Sequence, residues 1–146
     1  MVLVPATAAA AFPAPSCATD AWHSKWGPAF WQGANYERKG TVDFKAGETG
    51  SFVSHGTNHP MDQGLTPFVS QYVFRFDDLS SISVRTAGNF DPASQVAKAS
   101  GEILSGTGRF EGITGKVILV SRFSGSIPEM DWTGSYSLPA DSRASK

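Results

Sequence analysis

Arg38, His55 and His59 are the residues whose types and surroundings could carry chemistry in this chain. The stretch His55-Gly56-Thr57-Asn58-His59-Pro60-Met61-Asp62 holds two histidines and a carboxylate, a set able to ligate zinc or iron or to exchange protons near neutral pH. Gly56, Asn58 and Pro60 read as a loop, so the histidines lack the fixed i, i+4 spacing of a helical zinc site. No metal is assigned; the functional alternative for this stretch is acid-base work at the mouth of a pocket, against plain loop histidines. Arg38 sits in a segment of alternating apolar and polar residues. If it points inward it needs an acidic partner, for which Glu102 is the candidate, or an anionic ligand, because an unpaired buried charge is costly. If it points outward it is an ordinary solvated charge.

Other reactive side chains are less organised. Asp77 and Asp78 are neighbours at a turn, so their carboxylates should diverge toward solvent instead of sharing a proton. Glu129 and Asp131 flank Met130 beside Trp132 and could reach a barrel rim, while His23, between two tryptophans, reads as packing. Cys17 is the single cysteine, which excludes an intrachain disulfide. There is no G-x-S-x-G elbow and no P-loop.

The elements that must position these groups are strands. Tyr36, Arg38, Gly40, Val42 and Phe44 alternate with Glu37, Lys39, Thr41 and Asp43, the pattern of a half-buried strand. Thr49 to Thr57 returns as its hairpin partner, with Phe52 and Val53 on opposite faces. From Phe68 to Phe76, Ser70, Tyr72, Phe74 and Phe76 share one face; after the turn Asp77-Asp78-Leu79-Ser80, Ile82 and Val84 do the same. Asn89 to Gln95 reads as a polar connection and Ser100 to Thr107 as a further strand. Lys116 to Phe123 is apolar on both faces, so its outer face should be covered, by a second subunit or by an N-terminal segment bearing Phe12, Trp22, Trp26, Phe30 and Trp31. Asp131 to Leu138 places Trp132, Gly134, Tyr136 and Leu138 together. With an initial strand around Trp22 to Trp31, the count reaches about eight, enough to close a single antiparallel up-and-down barrel and leave no sheet edge.

Composition narrows the partners. The 146 residues fit one domain: an Ala/Pro-rich lead over 1–20, a barrel over 21–140 and a tail over 141–146. The lead lacks the basic region of an export signal and is broken by Pro5, Pro13 and Pro15, which favours a soluble, cytoplasmic protein. A net charge of -1 supplies no attraction to nucleic acid or to an anionic membrane. Charged residues are only 17% while aromatics reach 12%, so rings must be buried or presented to a ligand.

Between Ile103-Leu104 and Lys116 runs Ser105-Gly106-Thr107-Gly108-Arg109-Phe110-Glu111-Gly112-Ile113-Thr114-Gly115. Its glycines are not spaced as G-x-G-x-x-G and no helix follows, so it is a strand-to-strand corner and not a dinucleotide loop. This run resembles the glycine-rich corner of the allene oxide cyclase and dirigent barrel superfamily, and Tyr72 to Ile82 is similar to its aromatic strand, acidic turn and second strand. Leu79 stands where a glycine is commoner. The resemblance implies a calycin-like barrel, often a homo-oligomer, that binds a hydrophobic or aromatic small molecule and needs no cofactor. It also implies cyclisation or coupling achieved by holding a substrate in one conformation. It transfers no catalytic residue. The expected function is therefore small-molecule binding, as an isomerase, cyclase or lyase, or else as a lipocalin-like carrier or a structural barrel. Tyr36, Phe52, Tyr72, Phe74, Trp132 and Tyr136 are expected to line the substrate cavity, Arg38 to orient a polar or anionic group, and His55 or His59 to act near the mouth.

Overall fold

A computed structural model of the chain describes residues 16–44, 47–123, 125 and 128–139. The strands are β1 (Ser16–Gln32), β2 (Asn35–Asp43), β3 (Thr49–Asn58), β4 (Thr66–Phe76), β5 (Ser81–Asp91), β6 (Val96–Thr107), β7 (Thr114–Arg122) and β8 (Glu129–Leu138). Each pairs antiparallel with the next, and β1 pairs with β8 to close an all-β up-and-down barrel. Among the described residues, no helix is long and apolar enough to cross a membrane.

Alternation along these strands sorts the rings. On β4, Phe68, Ser70, Tyr72, Phe74 and Phe76 are buried while Val69, Gln71, Val73 and Arg75 are exposed, the period of two that a closed barrel imposes. The middle of the lumen is packed solid. Trp22 stacks on Trp132 with centroids 5.8 Å apart, and Phe74 and Tyr72 meet Trp132 edge-on at 5.2 and 4.8 Å.

Four expectations change. The barrel takes in residues 16–20, because β1 begins at Ser16 and pairs Cys17 with Ser137 and Asp20 with Gly134; residues 1–15 and 141–146, Phe12 among them, lie outside the described residues. Trp22 and Trp26 point into the lumen, so they do not cover β7, whose Ile118 is 59% exposed. β5 continues through Asp91 instead of giving way to a connection at Asn89. Its outward Asn89 imitates a loop while inward Phe90 keeps the strand period, and the turn closes only at Gln95, whose N–H donates to the Asp91 carbonyl at 2.8 Å. β6 accordingly begins at Val96, with Ala97 and Ala99 buried.

The two ends of the barrel differ. At the end holding the β2–β3, β4–β5 and β6–β7 turns, Phe44, Phe76 and Phe110 pack together, with centroids 5.1 Å apart for Phe44–Phe76 and 5.5 Å for Phe76–Phe110. The glycine run forms that corner: Gly108 opens a short 3-10 turn and Gly112 follows it, with φ of +61° and +81°. Arg109 ties the turns together by pairing with Glu48 and lying 3.6 Å from Asp78.

Candidate functional site: the open end of the barrel

Toward the other end the inward positions become small. Ser54 and Gly56 on β3, Ser70 on β4, Thr86 and Gly88 on β5, Ala97 and Ala99 on β6 and Ser121 on β7 replace the large rings of the middle, and side chains of that size cannot fill an eight-stranded lumen. A cavity of about 180 Å³, partly open to solvent, results. Its walls are the rings of Trp26 and Trp31 from β1, Tyr36 from β2, Phe68 and Tyr72 from β4, Phe90 from β5 and Phe123 just after β7. Arg38, Asn58, Gln95 and Ser121 add the polar groups. Rings with a few converging polar groups are the composition of a small-molecule site.

Two local devices shape this wall. A bulge at Gly27-Pro28 shifts the β1–β2 register between Trp26↔Gly40 and Ala29↔Arg38, so β1 advances three residues against two. The bulge reverses the parity that follows: Trp31 turns to the cavity against Tyr36, with ring centroids 5.0 Å apart, and Phe30 is left 69% exposed. Pro28 fits a bulge because it has no N–H to lose from the ladder. At Gly56, any Cβ would come within 2.3 Å of the Tyr36 ring, so glycine lets that ring lie across β3. There the Tyr36 hydroxyl meets Ser70 Oγ at 2.5 Å.

Arg38 is the single charged residue among those lining the cavity. Its guanidinium lies 3.8 Å from the Trp26 ring centroid, 5.2 Å from that of Phe123 and 5.5 Å from that of Tyr36. No carboxylate among the described residues pairs with it, and its Nε is buried without a hydrogen-bond partner. Glu102 is not the partner, because it faces outward in register with Arg85 and Lys116. Burial lowers the Arg38 pKa to about 10, against smaller upward pulls from Tyr36 and Tyr72. Burial likewise pushes the Tyr36 and Tyr72 hydroxyls above the usual tyrosine range. Trp26 Nε1 is also buried with no partner, and the Tyr72 hydroxyl is buried beside Ser54 and Ser70.

The remaining expected site residues separate. Phe52, Phe74 and Trp132 lie beneath the cavity as its packed floor; Phe52 contacts Trp26 and Tyr72 at centroid distances of 6.4 and 5.9 Å. Trp132 Nε1 donates to Ser24 Oγ at 3.0 Å. Tyr136 is toward the opposite end, donating to Asp20. His55 is on the outer wall, its side chain 64% exposed and 3.7 Å from Glu37. His59, exposed in the β3–β4 loop, is at the cavity's end of the barrel but not on its wall. Glu129 and Asp131 do not line the cavity: both contact His23 on the outer surface, at 3.3 and 2.9 Å, and Arg122 also pairs with Asp131. Among the described residues, no cluster of three or more His, Cys, Asp or Glu could hold a metal.

Sequence reasoning missed Trp26, Trp31, Phe68, Phe90 and Phe123 as wall residues. Trp22, Ser24 and Trp26 do carry a legible period of two, which would have placed Trp26 inside; Trp31 follows only once the bulge is known, and Phe90 only once β5 is extended. The chain matches no protein-family model, and no curated protein matches it.

Proposed function

We propose that this barrel binds a small hydrophobic or aromatic molecule in the cavity at its open end. One observation carries the reading: small inward side chains at that end leave about 180 Å³ walled by aromatic rings, while Phe44, Phe76 and Phe110 pack together toward the far end. The likeness of the glycine corner to allene oxide cyclase and dirigent barrels supports the same role.

A carrier is favoured over an acid-base enzyme. The titratable groups lining the cavity are Tyr36, Arg38 and Tyr72, whose pKa shifts leave none poised to exchange protons near neutral pH, and neither His55 nor His59 lines it. Any isomerase, cyclase or lyase activity would have to come from holding a reactive substrate in one conformation, which needs a rigid wall and no titrating group.

Calorimetric titration of the full chain with phenol and with indole tests the proposal. We expect saturable one-to-one binding with Kd at or below about 1 mM, a reasonable value for so few heavy atoms. Ala97→Phe should abolish it by filling the cavity from its β6 wall. Absence of saturable binding, or binding that survives Ala97→Phe in a folded protein, would count against the cavity as the site.

A further inference from the structure

Granted the binding role proposed above, we infer that the ligand is a single-ring aromatic carboxylate whose anionic group is received by Arg38. Two residues of the cavity wall carry buried N–H groups that no protein group accepts: Arg38 Nε and Trp26 Nε1. Both nitrogens can only donate. A wall of unanswered donors calls for an acceptor. Arg38 brings a full positive charge, and no lining residue brings a negative one.

The rings around Arg38 do not remove that demand. Trp26 at 3.8 Å, Phe123 and Tyr36 attract the guanidinium through their faces and fix its plane, but they leave its charge uncompensated in a poorly solvated place. A carboxylate answers both the charge and the geometry, because its two oxygens match the planar fork of a guanidinium. A chloride-like ion would match the charge alone.

Size and wall chemistry set the rest of the ligand. A cavity near 150 Å³ lined by apolar side chains accommodates benzene, so about 180 Å³ suits one ring bearing a small substituent. Phe68, Phe90 and Phe123 offer edges and faces to such a ring, and an offset or edge-on arrangement is favoured over simple contact.

The test compares benzoate with benzamide, its neutral near-isostere, by calorimetric titration of the full chain. Benzoate should bind about tenfold or more tightly, since a hydrogen bond to a charged group outweighs a neutral one by roughly that factor. Arg38→Met should bring the ratio of the two affinities close to one. Arg38→Lys, which keeps the charge but loses the fork, should retain only part of the preference and serves if the methionine variant does not fold. Equal affinities in the wild type, or a preference that survives unchanged in the folded variants, overturns the inference and leaves the cavity reading standing. Binding of phenol and indole without binding of either benzoate or benzamide overturns it in the same way. If none of the four binds, the binding role itself fails and the ligand assignment falls with it.

Discussion

Two arginines, one at each end of the barrel, lie against aromatic rings, and they differ in what answers their charge. Arg109 rests 4.7 Å from the Phe110 centroid and 5.5 Å from that of Phe76, and it is paired with Glu48 and near Asp78. It thereby joins three turns at the sealed end. Arg38 lies among Trp26, Tyr36 and Phe123 at the open end, and among the described residues no carboxylate pairs with it. Among the described residues, buried polar groups are matched within the chain at the sealed end, while donors stay unmatched at the cavity. Unmatched buried donors destabilise a free protein, so their concentration at one end is better explained by a ligand than by folding.

The sharpest way to break this comparison is to damage the sealed end. Phe110 is 4% exposed and packs on Phe44 and Phe76. Phe110→Ala should cost about 3–4 kcal/mol in chemical unfolding, the usual result of emptying a ring-sized space in a core. Benzoate affinity, measured where the variant is still folded, should change by less than about twofold. A large loss of affinity would mean that the two ends are one cooperative site, and the division into closure and binding would fall.

A smaller effect of opposite sign is expected at the open end. Tyr72→Phe deletes a buried hydroxyl whose contacts with Ser54 and Ser70 fall short of hydrogen-bond geometry, and it should raise the stability of the ligand-free protein by about 1 kcal/mol while weakening benzoate binding. Its pH dependence gives an independent check. Burial holds the folded Tyr72 pKa above its unfolded value of 10.0, so above pH 10 the unfolded chain loses this proton while the folded chain keeps it. The Tyr72 contribution to wild-type stability must therefore fall as pH rises through that range. Tyr36 acts in the same direction, and Arg38, with its pKa lowered to about 10, acts in the opposite one. Both remain in the variant, so the difference between variant and wild type reads Tyr72 together with its own pull on Arg38. The advantage of Tyr72→Phe should widen from pH 9 to 11 in urea titrations. A constant difference would mean that the hydroxyl is not held neutral by burial.

Most of the barrel is legible in the sequence because period-two alternation is a local property. Tyr36 to Phe44, Phe68 to Phe76 and the pair Ile82 and Val84 declare their inward faces directly, and the glycine corner declares its turn. The site is less legible, for three physical reasons. A one-residue bulge at Gly27-Pro28 exchanges the facing of Phe30 and Trp31, and a proline there looks like a break instead of a bulge. Outward polar residues such as Asn89 are identical in type to loop residues, which hid Phe90. Depth along the lumen is a matter of strand stagger, not of alternation. Tyr36 and Tyr136 both point inward, and only the register places them near opposite ends. His55 shows the same limit from the other side: its odd parity relative to Phe52 puts it outside, whatever its chemistry suggests.

The smallest expected effect concerns the sealed end, where stability should change without touching binding. Leu79 has φ of +70° in the β4–β5 turn, a conformation that costs an L-residue about 1–2 kcal/mol and glycine little. The turn persists because Asp78 Oδ1 accepts the Ser80 N–H at 3.0 Å and the Leu79 N–H donates to the Phe76 carbonyl at 2.9 Å. Leu79 is 77% exposed, so its side chain contributes little packing. Leu79→Gly should relieve the backbone strain, and the extra entropy of glycine in the unfolded chain, about 0.4–1 kcal/mol, should offset part of the gain. A net gain of about 0.5 kcal/mol corresponds to a rise of about 1–2 °C in Tm for a domain of this size, with benzoate affinity unchanged. Leu79→Ala distinguishes the cause. Alanine keeps the Cβ that makes positive φ costly, so it should stay near the wild-type Tm; an equal gain from alanine would assign the effect to the exposed leucine surface and not to the backbone.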